Sequence, residues 1–384
     1  MLFPVGPWDR NGNTMKKSMI QRLGTAAAVL AGLALTVCLL VAVLLFTAKP
    51  RRPAPAGSST VVSRFDRRMI DITAEALEGI AAVEKVYWLQ DSDMVAPEPN
   101  PENYGKTDDP ADLAPVIEQA ETLLEGETLI FRPEAEIRKD SEITYYLDET
   151  ILCITWQYKT GGTTFTCSEV KIAHPSQFRR FLSGGEYASG KLYYATEMAD
   201  DVNAVTASNG DYYAYRGFGN IVYNGVVEAA GTSYLDACYV DENGDLILKD
   251  FFTIYKKEDL EAFVESNRIR FSLAFGPILV ENGRCVAKYE YTIGETEETY
   301  SRAALCQIGP LHYMLVTANG GGGQDILQFA RRLAAMGVTT AYALDGGQTA
   351  TIVTGNELMN PMDYGGQRKT SDIIYFATAV PDGG

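Results

Sequence analysis

The stretch "AYALDGGQTATIV", Ala341–Val353, places an acid and two glycines between two apolar runs. The first run ends in Asp345, and Gly346 and Gly347 follow it directly. A strand that ends in a carboxylate delivers that group to the edge of a sheet, where ligands of open sheets commonly bind. The glycines allow positive φ and leave room for a substrate beside the main chain. The stretch therefore predicts a candidate site between two strands, although a plain Asp-Gly hairpin without function has the same pattern.

The sequence before Asp345 predicts a strand, a helix and a strand, read as "LHYMLVTA", "DILQFARRLAAMG" and "TTAYAL". Such a run predicts one parallel pairing inside a mixed sheet. From about Glu142 the apolar period is two, and "ITYYLDETILCITWQYKTGGTTFTCSEVKIA" predicts three strands with a tight turn at "TGG". The segment "SQFRRFL" that follows predicts a helical turn, and "YKKEDLEAFVESN" predicts a helix.

Asn-Gly pairs in "NIVYNGVV" and "ILVENGRCV" each predict a two-residue hairpin, because Asn-Gly favours the positive φ pair of a type I′ turn. The combined pattern indicates the α+β class. We expect a large mixed, mostly antiparallel sheet core with a few helices, preceded by a single transmembrane helix and a helical stalk.

The N-terminal part of the chain predicts a membrane anchor. Residues 23–48 carry no charge and are long enough to span a bilayer, which needs about 20 apolar residues. We assign 1–22 to a cytoplasmic tail, 23–48 to the transmembrane helix, 49–140 to a linker and helical stalk region, and 141–384 to the main domain. This predicts a single-pass protein of the cell membrane with a large extracellular C-terminal domain. Cleavage after "PAPAG" is the alternative.

Composition excludes several classes of function. The 384-residue chain is 46% hydrophobic and has a net charge of −17, so a nucleic acid would be repelled. Its two histidines argue against a histidine metal cage and against a Ser-His-Asp triad.

Outside the predicted membrane helix there are five cysteines, an odd number. We expect mostly free, buried thiols, although Cys153 and Cys167 could face each other across a hairpin.

Other segments offer side chains suited to a sugar phosphate. In "ASNGDYYAY", Asn209 and Asp211 end a predicted strand and tyrosines follow, which could stack on a sugar or be half-buried strand residues. Arg302 and Arg368 each begin or precede an apolar strand, and a guanidinium can bind phosphate bidentately or form a salt bridge there. Thr349 adds a hydroxyl beside Asp345.

Taken in order, these segments resemble the phosphodiester glycosidase family. The motifs are "SNGDYY", "GNIVYNGVV", "FGPILVENG", "RAALCQIG", the glycine-rich loop before "DILQFARRLAAMG", "AYALDGGQTATIV" and "QRKTSDIIYF". The resemblance covers about Val202 to Phe376 and is weaker back to Glu142. It is closer to the bacterial membrane-anchored, exopolysaccharide-associated branch, and it makes residues 141–384 a phosphodiester glycosidase-like domain.

The resemblance implies hydrolysis of a sugar-1-phosphodiester in a cell-envelope or extracellular glycan. By position, it implies that Asp345 and Asp211 are catalytic. The substrate-binding residues that it implies are Asn209, Arg302, Gly346, Gly347, Thr349 and Arg368. Four residues depart from the family pattern, since Gln348 replaces its third glycine, Thr349 and Ala350 its two serines and Ala343 its preceding asparagine.

These roles give a mechanistic hypothesis. Asp345 acts as base or nucleophile at the anomeric carbon, Asp211 assists or binds sugar hydroxyls, and Arg302 and Arg368 hold the phosphate charge. No cofactor is expected, although a divalent cation such as Ca²⁺ could bind oxygen ligands that include Asp345. Two alternatives remain open. The first is a non-catalytic, surface-anchored glycan-binding module, which Gln348 and Ala350 favour, and the second is a structural envelope protein that assembles through its stalk.

Overall fold

The computed structural model describes residues 89, 95–124, 142–216, 219–231, 234–250, 256–291 and 293–381. All of them fall within one contact unit, Ala82–Gly384. In chain order the strands are β1 (Tyr104–Thr107), β2 (Ile143–Leu147), β3 (Ile151–Thr160), β4 (Thr163–Ile172), β5 (Phe178–Leu182), β6 (Thr206–Asn209), β7 (Ile221–Tyr223), β8 (Val226–Ala229), β9 (Ala237–Val240), β10 (Leu246–Lys249), β11 (Phe271–Leu273), β12 (Ile278–Glu281), β13 (Arg284–Cys285), β14 (Arg302–Gly309), β15 (His312–Asn319), β16 (Thr340–Leu344), β17 (Ile352–Thr354), β18 (Glu357–Leu358) and β19 (Asp372–Phe376). The helices are α1 (Ala114–Leu123), α2 (Ala195–Asp201), α3 (Lys257–Asn267) and α4 (Ile326–Ala335).

Two large sheets form the framework. The nine-stranded sheet has the order β1-β2-β3-β4-β15-β14-β16-β12-β13, and the five-stranded sheet has the order β18-β17-β6-β19-β5. A three-stranded sheet, β10-β9-β11, and the hairpin β7-β8 complete the strands of the described residues. The stretch that surrounds Asp345 therefore links two sheets, because β16 lies in the first and β17 in the second.

The predicted parallel pairing is wrong. Strand β14 lies between β15 and β16 and is antiparallel to both, so the strands on either side of helix α4 never pair. Every strand pair within the described ranges is antiparallel. The α+β class with few helices is confirmed, but the sheet is antiparallel rather than mixed.

Both faces of the nine-stranded sheet are apolar, and successive residues of a strand point to opposite faces. On β14, Ala304 and Cys306 pack on the face that α1 and α4 cover. Ala303 and Leu305 point to the other face, which packs on the five-stranded and three-stranded sheets. Phe329 of α4 is fully buried, and burial of such a side chain contributes about 1.5–3 kcal/mol. The five-stranded sheet is covered on its outer face by α2.

Most local predictions are confirmed. The three predicted strands are β2, β3 and β4, and both Asn-Gly pairs form two-residue hairpin turns with positive φ at Asn224 and Asn282. Helix α3 matches its predicted segment. The helical turn predicted for "SQFRRFL" is wrong, because Phe178–Leu182 is strand β5, paired with β19. A 3-10 turn, Pro175–Gln177, precedes it.

Part of the segment predicted as linker and stalk belongs to the sheet. Strand β1 pairs with β2 and forms one edge of the nine-stranded sheet, and the buried Ala120 of α1 joins its core. None of the helices in the described ranges has the length and hydrophobicity that a membrane crossing requires. The predicted tail 1–22, membrane helix 23–48 and most of the predicted stalk lie outside the described residues and stay predictions.

The five cysteines within the described residues are free, and four of them are buried. Cys153 faces Val170 and Cys167 faces Trp156 across the β3–β4 pair, so the two thiols are not opposite each other. The expectation of free, mostly buried thiols is confirmed.

Candidate functional site

The carboxyl ends of β6 and β16, which belong to different sheets, meet at the candidate site. The Asn209 side-chain amide donates to the Asp345 carbonyl oxygen at 2.7 Å, and the Asp345 N–H donates to the Gly210 carbonyl oxygen at 3.1 Å. Asn209 also accepts from the Thr351 N–H at 3.2 Å. Asn209 is buried and bonded on both sides, so it joins the two strand ends rather than facing a substrate.

Both glycines after Asp345 lie close to the main-chain carbonyl group of Ser301. A Cβ on Gly346 would lie 2.6 Å from the Ser301 carbonyl oxygen, and the Gly347 N–H donates to the same oxygen at 2.8 Å. Gly347 has φ +64°, and a Cβ there would meet nothing within 4 Å, so this residue borders open space. The Thr349 hydroxyl donates to the Gly346 carbonyl oxygen at 2.7 Å and closes the turn. Gly346 therefore permits the close approach of the Ser301 main chain, Gly347 leaves space, and the predicted contact of both glycines with a substrate stays a prediction.

The Asp345 carboxylate is held by one guanidinium and remains partly open. Its Oδ2 accepts from Arg368 Nη2 at 2.8 Å, and its side chain keeps 10% of its surface exposed against 46% for Arg368. Burial raises the pKa of Asp345 above its ordinary value, although Arg368 and the nearby Thr349 side chain lower it. A carboxylate with a raised pKa is a stronger base and nucleophile when it is ionised.

Gln348 fixes the loop that carries Arg368. Its side-chain amide donates to the Tyr364 carbonyl oxygen at 3.1 Å, and its own carbonyl oxygen accepts from the Arg368 N–H at 3.0 Å. Gln348 therefore clamps residues 364–368 against the turn after Asp345. Ala350, the second departure from the family pattern, is fully buried in the core between the sheets.

Asp211 occupies a closed cluster of charges instead of the open site. Its side chain is 0% exposed and lies 2.8 Å from Arg216 and 3.3 Å from Arg180. The N–H groups of Tyr213 and Ala274 donate to it at 2.7 and 2.9 Å. Burial opposes its ionisation, but Arg216 and Arg180 hold its pKa below the ordinary value. The predicted catalytic role of Asp211 does not fit this geometry, because protein donors surround the carboxylate.

Asp372 is a further member of this cluster that the sequence did not reveal. It lies 2.6 Å from Arg180, and burial raises its pKa to about 7. A Cβ on Gly210 would lie 2.3 Å from its Oδ2, so only glycine fits between β6 and this carboxylate. No local signal marks Arg180, Arg216 or Asp372, because they come from separate segments that the fold brings together.

Arg302 is a structural residue in this fold rather than a phosphate ligand. Its guanidinium donates to main-chain carbonyl oxygens of the 294–298 loop, at 2.5 Å to Gly294, 3.0 Å to Glu295 and 2.7 Å to Glu298. Its Nε donates to the Gln324 carbonyl oxygen at 2.9 Å. Burial lowers its pKa to about 10. The predicted phosphate contact of Arg302 does not fit this arrangement, because main-chain carbonyl oxygens accept from all three of its side-chain nitrogen atoms.

Three tyrosines follow Asp211, and each has a different environment. Tyr213 is buried, Tyr212 is half-buried, and Tyr215 is 52% exposed. The Tyr215 ring centroid lies 5.7 Å from Arg368 Cζ. Burial raises the pKa of Tyr212, and the charge of the nearby Asp345 raises it further. Of these three rings, Tyr215 has the largest exposed surface.

A divalent cation at Asp345 stays a prediction, because nothing in the structure tests it. Within the described ranges, no group of three or more His, Cys, Asp or Glu side chains is arranged to hold one. The Asp345 carboxylate is neutralised by Arg368. No step of the chemistry below uses a divalent cation.

One family model matches part of the chain. The family model described as phosphodiester glycosidase matches residues 202–377, a segment that contains all of the predicted site residues. The chain is similar to the structure of zebrafish N-acetylglucosamine-1-phosphodiester alpha-N-acetylglucosaminidase, catalytic domain auto-inhibited by pro-peptide, with 17% identity and a TM-score of 0.47 over 59% of this chain and 82% of that one. It is also similar to a protein structure from Synechocystis, with 15% identity and a TM-score of 0.44 over 62% of this chain and 64% of that one. A search of curated proteins gives no match.

Proposed function

We propose that this chain hydrolyses a sugar-1-phosphodiester at the site formed by Asp345 and Arg368, and the support is the phosphodiester glycosidase family model that matches residues 202–377. That family is one of glycosidase-type hydrolases, so the match supports this class of reaction for the chain. The substrate, the residues that act on it and its place in a cell-envelope or extracellular glycan are our proposals.

One observation carries the proposal: of the two predicted acids, only Asp345 keeps part of its side chain exposed (10%, against 0% for Asp211), and a guanidinium adjoins it. Ordinary glycosides need a second carboxyl group, because the departing alkoxide must be protonated. A phosphodiester leaving group is a weak base that needs its charge held rather than a proton. One open carboxylate beside one arginine is therefore better suited to an anomeric phosphate than to an ordinary glycoside.

Arg368 can hold that phosphate. A guanidinium has five N–H donors, and within the described residues the side chain of Arg368 donates only to Asp345. The remaining donors could bind two phosphate oxygens in the bidentate geometry that arginine favours. A phosphate held there would bring the anomeric carbon of its sugar close to Asp345.

The proposed reaction breaks the bond between the anomeric carbon and the bridging oxygen. Asp345 either deprotonates the water that attacks the anomeric carbon or attacks that carbon itself and forms a glycosyl ester that water then hydrolyses. In both routes the electron pair of the broken bond stays with the phosphate, which departs as a monoester bound to Arg368. Water supplies the hydroxyl of the released sugar, and its second proton leaves to solvent through Asp345. The raised pKa of Asp345 supports its role as the proton acceptor or nucleophile.

Arg368→Gln is expected to lower kcat/KM for a sugar-1-phosphodiester by about 10²–10³-fold, the typical cost of losing one donor to a developing anion. Steady-state kinetics measures the change. Lys369→Gln is the matched control, because Lys369 is the next basic residue of the same loop and packs on the rings of Tyr193 and Tyr194. Arg368→Gln kinetics within threefold of the unsubstituted protein would contradict the role of Arg368.

We further propose that residues 23–48 anchor the protein in a cell membrane with the domain outside the cell. The support is the uncharged length of that segment together with the basic residues that precede and follow it. An anchor of this kind agrees with the resemblance of the motifs to the membrane-anchored, exopolysaccharide-associated members of the family. The full-length protein should stay in the membrane fraction after an alkaline wash, and its release into the supernatant would argue against an anchor.

A further inference from the structure

Tyr215 is a large, exposed aromatic side chain beside Arg368, the partner of Asp345. The 3-10 turn Tyr213–Tyr215 follows Asp211 directly, and 52% of the Tyr215 surface is exposed. Exposed tyrosine is common in ligand sites because its ring is apolar and rigid while its hydroxyl stays hydrated. The position of Tyr215, with Arg368 Cζ 5.7 Å from its ring centroid, suggests that its exposure has a use.

Buried groups fix the turn that presents Tyr215. Asp211 accepts from the Tyr213 N–H, and the Tyr215 N–H donates to the Tyr212 carbonyl oxygen at 2.9 Å. Asp211 is itself held by Arg180 and Arg216, so the turn rests on paired charges in the interior. A site built on such a support holds its contact residues in place before a ligand binds.

The Tyr215 ring also has aromatic support. It stacks on Tyr212 with centroids 6.4 Å apart and planes 24° apart, and Tyr212 packs edge-on against Phe275 at 5.2 Å. Phe275 is buried in the main core. The three rings form a continuous series from the core to the surface, which ends next to the pair of Arg368 and Asp345.

We propose that the Tyr215 ring is the surface on which the sugar of the substrate stacks while its anomeric phosphate binds Arg368. The ligand class is a pyranose 1-phosphate ester, whose apolar C–H face fits an aromatic ring and whose phosphate lies one bond from the sugar ring. This inference rests on the proposed function, because it assigns the sugar position within the same site. Tyr215 then determines that the phosphate must carry a sugar.

A merely structural Tyr215 would act differently. If it only supported Arg368 through its ring, its loss would weaken the binding of every phosphate alike. A sugar-stacking Tyr215 affects ligands that carry a sugar and leaves inorganic phosphate unchanged. Binding of the two ligand classes to the same variant therefore separates the two roles.

The test is calorimetric titration of the full-length protein with α-glucose 1-phosphate, α-N-acetylglucosamine 1-phosphate and inorganic phosphate. We expect at least one sugar phosphate to bind more tightly than inorganic phosphate. Tyr215→Ala should weaken that binding by about tenfold, the equivalent of one aromatic contact, and leave inorganic phosphate binding unchanged. Tyr215→Phe, which keeps the ring, should restore most of the affinity, and Tyr234→Ala is the control for loss of another exposed tyrosine.

Equal losses for sugar phosphate and inorganic phosphate would overturn the proposal, since Tyr215 would then act through Arg368. Unchanged sugar phosphate binding in Tyr215→Ala would also overturn it, while leaving the proposed function intact if the variant still hydrolyses phosphodiesters. An unsubstituted protein that binds none of the three ligands and hydrolyses no sugar-1-phosphodiester would overturn both.

Discussion

Asp345→Asn is expected to lower kcat for a sugar-1-phosphodiester by about 10³-fold or more, in the range of an essential acid, base or nucleophile. The amide keeps the shape of the side chain and can still accept a hydrogen bond from Arg368. It removes the negative charge and the basicity that the reaction requires. The expected effect is therefore on the chemical step, with the fold retained and KM changed little.

Steady-state kinetics measures this effect, and thermal unfolding shows whether the variant is folded. Asp108→Asn is the matched control, because Asp108 is exposed and precedes helix α1, far along the chain from both strand ends. Turnover by Asp345→Asn within about tenfold of the unsubstituted protein would remove Asp345 from the mechanism, since an essential carboxylate costs far more.

Asp211→Asn is expected to destabilise the fold by about 3–5 kcal/mol, the usual cost of breaking a buried ion pair by removing one partner. Two buried guanidinium groups, those of Arg180 and Arg216, would lose the carboxylate that they share. The asparagine amide would also place donors opposite donors, because main-chain N–H groups and guanidinium groups already point at this position. Stability rather than chemistry is therefore the property that Asp211 controls.

Chemical denaturation with linear extrapolation measures the change in the free energy of unfolding. The comparison variant is Asp345→Asn, which should lose activity with little change in stability because its partner Arg368 is half-exposed. The two substitutions are thus expected to have opposite profiles. A fully stable but inactive Asp211→Asn protein would restore Asp211 to the catalytic residues and contradict the structural role.

Local patterns allowed much of the fold to be predicted. Asn-Gly turns and period-two alternation depend on neighbouring residues, so the hairpins and the strands β2 to β4 are readable from the sequence. The order of strands in a sheet depends on distant partners. The insertion of β14 between β15 and β16 left no local trace, and it made the predicted parallel pairing wrong.

The candidate site shows the same difference between what local sequence predicts and what depends on distant residues. The sequence indicated Asp345 and Arg368, because each ends or precedes an apolar strand, and the fold places them 2.8 Å apart. It could not show that Asp211 and Arg302 are enclosed, because their burial comes from residues far away in the chain. Arg180 is 31 residues before Asp211 in the printed sequence, and "SQFRRFL" predicted a helical turn for its segment. Motif position indicated candidate site residues, but it did not indicate which of their side chains are enclosed by other residues.

The position of the broken bond tests the central claim most directly. The full-length protein is allowed to turn over a sugar-1-phosphodiester in water labelled with the heavy oxygen isotope. Mass spectrometry of the phosphate product then reports which atom the water attacks. Attack at the anomeric carbon, as proposed for Asp345 and Arg368, leaves the released phosphate monoester unlabelled. Heavy oxygen in that phosphate would mean cleavage of the phosphorus–oxygen bond, and the glycosidase account would be contradicted.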